Sequence, residues 1–315
     1  MRARRLVRSA LGHLGGLLLI VWGAATAGFL AVRAIPGDPV DVMLGVQAQV
    51  SESVRDDIRA DWGLDQPLIV QYLAYLGRLV RGDLGTSYQL REPVAQVLGE
   101  QLPPTLALAC LALLFAVTLA VAFVLLARLP GLRGPVSTLE LVLVSSPTFW
   151  IGLVLITFLS FRLGWFPVAA TQGLQALLLP AITLALPVSG ILAQVLRQGI
   201  ESALAQPFAL TARARGAGPA RLVLHHGLRH AASDGITLTA YLFGSLLGGA
   251  VLVESVFGRP GLGRAALRAI IDRDLPVVLG VIVLAAVLFA VVNTLVDLLA
   301  PLLDPRQRGT RAVLA

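Results

Sequence analysis

Between Thr211 and Ala231 the chain reads TARARGAGPARLVLHHGLRHA, a basic, glycine-containing stretch with strongly apolar sequence on both sides. From Arg197 to His230 there are five arginines and three histidines. Residues Gly199–Arg215 predict a helix, with Ala203, Leu204, Phe208 and Ala212 near one face and Pro207 as a kink. Gly216-Ala217-Gly218 predicts its end, because glycine takes the left-handed cap conformation without a Cβ clash. Pro219 fits the first turn of a second helix, where a missing N–H removes no hydrogen bond. A charge cluster that only sets topology needs the arginines but not that turn. Helix–turn–helix readers of DNA sit in soluble domains, so no nucleic-acid partner is expected here.

The flanks decide the fold class. The 315 residues are 57% hydrophobic and 14% charged, against about 25% charged in soluble domains. Mean hydropathy is +0.82. Several apolar runs exceed the ~20 residues that cross a bilayer as a helix. The expectation is an all-α polytopic membrane protein with six transmembrane helices, near Leu11–Val32, Thr105–Leu126, Val136–Phe161, Leu177–Leu196, Gly235–Phe257 and Pro276–Leu299. A signal peptide has an apolar region of only ~7–15 residues, so the first run is expected to be an uncleaved span. Pro147, Pro180 and Pro187 are expected to kink their helices.

Between the first two spans, residues 34–103 predict a small solvated helical subdomain. It opens on Ile35-Pro36-Gly37-Asp38-Pro39, a rigid turn, and continues with amphipathic pieces near Ser51–Trp62 and Gln66–Arg81, the first capped by Ser51. The expected organisation is 1–33 as N-terminal arm and span 1, 34–103 as an extracytoplasmic subdomain, 104–300 as the core with a cytoplasmic loop 197–234, and 301–315 as a tail. With the N-terminus inside, the inner segments hold 14 arginines and three acids, Glu201, Asp234 and Asp304; the outer ones, counting Glu254 at the outer end of its span, hold 11 arginines and 13 acids. This asymmetry predicts both termini in the cytoplasm.

All 25 basic residues are arginine. Without lysine there is no Walker A motif, so any ATPase driving this chain is a separate chain. Cys110 is alone and is expected to be a small buried apolar residue. Four histidines and two methionines are too few for a path that coordinates a naked soft metal ion. Adjacent His225 and His226 point about 100° apart on a helix, so no metal site is expected. Neither Gly-x-Ser-x-Gly nor His-Glu-x-x-His occurs. That disfavours an intramembrane enzyme, and no catalytic residue is assigned. A passive channel has no use for a basic loop suited to a cytosolic partner.

Glu140, Asn293 and Asp297 lie in or near spans, the last two one helical turn apart; Ser145 and Ser146 form a polar patch beside Pro147. Such groups either line a pathway or bond between helices, and Asp297, near the cytoplasmic end, is also within reach of water. Glu254, Arg259, Arg264, Asp272, Arg273 and Asp274 cluster on the outer side. There they form either a solvated loop with weak ion pairs or a docking surface.

Thr211-Ala212-Arg213-Ala214-Arg215-Gly216 and Leu228-Arg229-His230-Ala231 resemble the conserved cytoplasmic loop of binding-protein-dependent ABC importer permeases. More narrowly they resemble the dipeptide/oligopeptide/nickel family, first-permease (B-type) subunit. The resemblance covers nearly the whole chain: the Ile35–Pro39 turn, Gly63-Leu64-Asp65-Gln66-Pro67, Gly82-Asp83-Leu84-Gly85, Glu254-Ser255-Val256-Phe257, Pro260-Gly261-Leu262-Gly263, Asp272–Pro276 and Leu302–Arg306 all fit. The chain departs from the family at Pro207, where an acid is frequent, at Leu210, where an arginine is frequent, and near Asp234, where a proline is usual. Asp234 there fits either a helix N-cap or an ion pair with Arg229.

The resemblance implies an ABC importer type I permease fold in a bacterial cytoplasmic (inner) membrane. It implies a non-enzymatic permease subunit, with ATP and Mg bound by partner ATPases and no cofactor in this chain. The implied partners are a second homologous permease, two ATP-binding cassette subunits, an extracytoplasmic substrate-binding protein and the lipid bilayer. The implied ATPase-coupling residues are Thr211, Ala212, Arg213, Ala214, Arg215, Gly216, Ala217, Gly218, Pro219 and Arg221, the small ones allowing close approach and the arginines anchoring. Glu254, Arg259, Asp272, Arg273 and Asp274 are implied to dock the binding protein. The implied cargo is a di- or oligopeptide, with nickel or a metal–metallophore chelate as the alternative.

Overall fold

The computed structural model describes residues 2–34, 40, 51–61, 63–167, 173–218 and 221–303. Apolar segments in a bilayer must satisfy their own N–H and C=O groups, and the described residues are accordingly helical. In chain order the α-helices are α1 Arg2–Arg33, α2 Glu52–Asp61, α3 Leu68–Val80, α4 Val94–Leu126, α5 Arg133–Ser145, α6 Thr148–Leu155, α7 Leu174–Leu204, α8 Pro207–Ala214, α9 Leu228–Val256, α10 Leu262–Ile271 and α11 Leu275–Leu303. Wider π-helical turns extend α6 (Ile156–Arg162) and lead into α9 (Leu222–Gly227).

Among the described residues, four segments are long and apolar enough to cross a membrane: Gly15–Ala34, Val94–Leu126, Leu174–Leu204 and Leu275–Leu295. The expected single span Val136–Phe161 is instead two helices, α5 and α6, meeting at 109°. Pro147 causes the break. It lacks an N–H and pushes the residue before it out of the helical region; Ser146 sits at ψ 134°. Counting that pair as one span gives up to five, and the described apolar part of α9, Tyr241–Val256, is shorter than a full span.

Two helices outrun their expected limits. At ~1.5 Å per residue, the 33 residues of α4 reach about 50 Å, well beyond a ~30 Å hydrocarbon core. It begins at Val94, not Thr105, and carries Pro103 and Pro104 within it. α7 runs on past the expected span end at Leu196 to Leu204, taking in the start of the helix expected over Gly199–Arg215.

The chain divides into two compact units, 1–103 with 264–291, and 104–263 with 292–315. In the first, Ala25 and Phe29 of α1, Tyr75 of α3 and Val283 of α11 form a core. Phe29 packs against Tyr72 and Tyr75 at centroid distances of 5.4 and 5.6 Å. α3 turns a broad apolar surface outward, including Leu68, Ile69, Leu73 and Val80. In the second unit α7 is central. Leu184, Leu192 and Ile200 are buried there against Leu108, Val124, Leu246 and Val253. α5 approaches α7 so closely that a Cβ on Gly190 would lie 2.8 Å from Val144 and 3.0 Å from the Glu140 carbonyl. Cys110, expected to be buried, faces outward. An outward small apolar residue has no solvent problem on a spanning helix, because lipid covers it.

Candidate functional site

Pro207 does not kink a continuous helix; it starts a new one. Gln206 is extended (ψ 154°) and Pro207 occupies the first turn of α8, where its missing N–H is harmless. α8 ends as its sequence demands. Gly216 takes φ +84°. The Gly216 amide donates to the Arg213 carbonyl (2.9 Å) and the Ala217 amide to the Ala212 carbonyl (3.0 Å). This paired pattern is a Schellman cap. A Cβ on Gly216 would meet nothing within 4 Å, so glycine is needed there for its backbone angle and not for space.

The short helix has two sides. Ala209 is buried, whereas Leu210 is 73% exposed. Thr211, Arg213, Ala214, Arg215, Gly216, Gly218 and Arg221 are exposed and Ala212 and Ala217 half-buried. Pro219 lies outside the described residues, as do the side chains of His225, His226, Arg229 and Asp234. On the far side of the turn, Leu222 and Val223 are buried, and a Cβ on Gly227 would lie 2.9 Å from Ile200 of α7. The exposed strip therefore rides on a rigidly packed base.

Among the described residues, three carboxylates are buried. In the second unit, Glu140 of α5 (1% exposed) is ion-paired with Arg197 of α7 (12% exposed). Arg197 Nη1 also donates to Ser137 Oγ at 2.6 Å. Glu254, at the end of α9, accepts from the Thr105 hydroxyl (2.6 Å) and the Gly263 amide (2.8 Å), while Thr105 accepts from the Leu262 amide (2.8 Å). Pro260-Gly261-Leu262-Gly263 has glycines because a Cβ on Gly261 would lie 2.2 Å from the Glu254 carboxyl, and one on Gly263 2.2 Å from Val251 Cα. Arg259 is buried nearby. Burial pushes its pKa down, and the charge of Glu254 opposes that.

In the first unit, Asp274 accepts from the Ser87 hydroxyl, from the Tyr88 amide (3.1 Å) and from the Gln89 amide (3.4 Å). Tyr88 pays for that neighbour: burial first, and then Asp274, push its phenol up to about 12.

The outer charged set is thus divided. Glu254, Arg259 and Asp274 are 1%, 7% and 3% exposed. Glu254 and Asp274 act inside the protein by holding loops, and Arg259 is buried beside Glu254. Asp272 and Arg273 are exposed. Sequence reading missed Ser87, Thr105, Ser137 and Arg197. For Ser87, Thr105 and Arg197 the usable signal was the acid each serves, since a buried carboxylate needs a donor; Ser137 accepts from Arg197 instead. Of the polar pathway candidates, Ser145 is exposed. Ser146 is half-buried, its Oγ donating to its own helix at the Val142 carbonyl (2.7 Å). Asn293 is half-buried and already engaged. The side chain of Asp297 lies outside the described residues.

Comparison with known proteins fits this architecture. The family described as binding-protein-dependent transport system inner membrane component matches residues 124–309, and its N-terminal membrane component matches residues 3–109. A protein of Brucella abortus (strain 2308), named for a peptide transport system permease, is 38% identical over 293 residues, covering 89% of this chain and 92% of its own length. The glutathione transport system permease protein GsiC of Escherichia coli (strain K12) is 36% identical over 274 residues, 85% of this chain and 88% of its own. Among solved structures, the MetNI methionine ABC transporter in an inward-facing form matches with a TM-score of 0.56 at 19% identity, over 66% of this chain and 97% of the other. An amino acid ABC transporter matches with a TM-score of 0.53 at 20% identity, over 65% and 94%. These two speak for the fold alone. The all-helical spans, the glycine-capped basic helix and a family match along almost the entire sequence agree: the chain belongs to the binding-protein-dependent transport family and is a multi-pass, non-enzymatic permease component of an ABC importer in the inner membrane.

Proposed function

We propose that this permease imports short peptides. Paired with a second related permease, it is driven by two ATP-binding cassette subunits and loaded by an extracytoplasmic binding protein. The observation that carries the cargo is the naming of its relatives for peptide and glutathione transport over 85–89% of this chain. Nickel or a metal chelate is not favoured, because those relatives are named for peptides.

In this reading the broken α5–α6 pair and α9 complete six spans, with both termini in the cytoplasm as the arginine asymmetry predicts. Residues 34–103 are then extracytoplasmic. α8 and its cap, Thr211 to Arg221, contact one ATPase, which binds ATP and Mg. Leu210 enters an apolar groove, while Arg213, Arg215 and Arg221 meet acids or helix C-termini. Closure of the ATPases shifts α8 as a body, and α7 and α9 on either side carry the shift into the membrane. Asp272 and Arg273 remain as exposed charges for the binding protein. Ser145, Asn293 and Asp297 form the polar lining of the path.

The test is ATP hydrolysis and uptake by the reconstituted complex with its binding protein, given di- and tripeptides or nickel chelates. Peptides are expected to stimulate the wild type. Arg213→Glu is expected to cost about 2 kcal/mol of ATPase affinity, roughly 30-fold, and Gly216→Trp to uncouple hydrolysis from uptake. Stimulation by nickel chelates alone overturns the cargo assignment. Wild-type coupling in both variants overturns the role of α8.

A further inference from the structure

The first unit contains a cavity of about 250 Å³, of whose lining the transport reading uses Arg273 alone. Its polar wall carries three arginines, Arg33, Arg78 and Arg273, and one acid, Asp83. None of the three arginines forms an ion pair with another described residue, and Asp83 Oδ1 accepts from the Gly85 amide at 2.8 Å. The cavity is therefore cationic. Apolar Phe29, Val32, Pro276 and Leu279 also line it, with the Arg33 guanidinium over the Phe29 ring at 5.9 Å.

Two observations mark it as a built site. Tyr75 lines the cavity and is only 9% exposed, yet its hydroxyl has no hydrogen-bond partner among the described residues. Burial raises its pKa, so the group keeps its proton and remains a donor. Arg273 sits at φ +52°, a left-handed conformation that is strained for a residue with a side chain. It caps α10, its amide and that of Asp274 donating to the carbonyls of Ile270 and Ala269. Glycine is the easy residue there, and the chain keeps an arginine that reaches the cavity.

The place of the cavity identifies its ligand. Arg33 is next to the end of the span Gly15–Ala34, and Leu275 begins the span Leu275–Leu295; both line the cavity. It therefore lies where hydrocarbon gives way to water. α3, which supplies Val70, Ala74, Tyr75 and Arg78, exposes Leu68, Ile69, Leu73 and Val80 on its outer surface. A helix with that much bare apolar surface and a basic flank lies in a bilayer interface. We propose that the cavity binds the phosphate headgroup of an anionic phospholipid, with the three arginines and the Tyr75 hydroxyl on the phosphate oxygens and the acyl chains leaving along α1 and α11.

The experiment is native mass spectrometry of the detergent-purified complex, supplied with phosphatidylglycerol or phosphatidylcholine. The wild type is expected to retain phosphatidylglycerol preferentially. Arg78→Gln/Arg273→Gln is expected to lower that preference by about 5-fold per arginine. Tyr75→Phe, which removes a hydroxyl without a protein partner, is expected to weaken retention at an unchanged melting temperature, and decides the matter should the double variant fail to fold. An unchanged lipid preference in a folded variant overturns the proposal. So does displacement of the lipid by millimolar glycerol 3-phosphate, which would assign the site to a soluble anion.

Discussion

Glu140 and Asp274 are equally buried, but the two units neutralise them by opposite means. Glu140 meets a cation, Arg197, 57 positions away on a neighbouring helix. Asp274 meets no arginine among its bonds; a hydroxyl and two backbone amides of the 87–89 loop share its charge. A charge pair concentrates its effect in one partner, and loss of that partner strands a buried charge. An amide cradle spreads the effect over a loop whose shape it also fixes. The first arrangement registers two helices, and the second folds a surface turn.

The largest effect expected from breaking the comparison is at the helix pair. Arg197→Leu leaves Glu140 uncompensated and is expected to lower stability by about 3–5 kcal/mol, seen as a fall in the denaturation midpoint of the purified protein. Glu140→Leu/Arg197→Leu is expected to recover most of that. A double variant as weak as the single one would show that packing, not charge, dominates the α5–α7 contact. Asp274→Ala is expected to cost less, about 1–3 kcal/mol, because the freed Tyr88 and Gln89 amides can turn to water. The reading is faster limited proteolysis between residues 86 and 91, with the α5–α7 region unchanged.

The smallest effect sharpens the comparison by pH. The folded Tyr88 phenol sits at about 12, above the ordinary value of 10.0. Its contribution to stability is therefore full below about pH 10 and is lost as pH rises toward 12. Near-ultraviolet titration is expected to show a tyrosinate forming near pH 12 that disappears in Tyr88→Phe. In Asp274→Asn it is expected to move down, because the neighbouring negative charge is gone. A titration unmoved by Asp274→Asn assigns the whole shift to burial.

Much of this was legible in the sequence, and the failures share a cause. Apolar runs announce spans by length alone, so the expected segments map onto real helices. Their ends were misjudged because helices continue through polar residues that packing holds, as at Val94–Pro104 and Arg197–Leu204. The cap at Gly216 was readable because its physics is local. The break at Pro147 was readable as a kink, but its angle depends on what α5 and α6 pack against. The partner of Glu140 was not readable at all: the sequence offers 25 arginines and only the fold selects one. Charged residues near a loop were read as surface, yet Glu254 and Asp274 are internal because local hydroxyls and amides happen to converge on them.

The first unit is discontinuous, and that has a consequence for synthesis. Asp274 lies 187 positions after Ser87. A ribosome adding about 5–20 residues per second takes roughly 10–40 s to reach it. During that interval the 87–89 amides lack their acceptor, and α1 and α3 wait for α11. The last span to emerge is the one that closes the first unit.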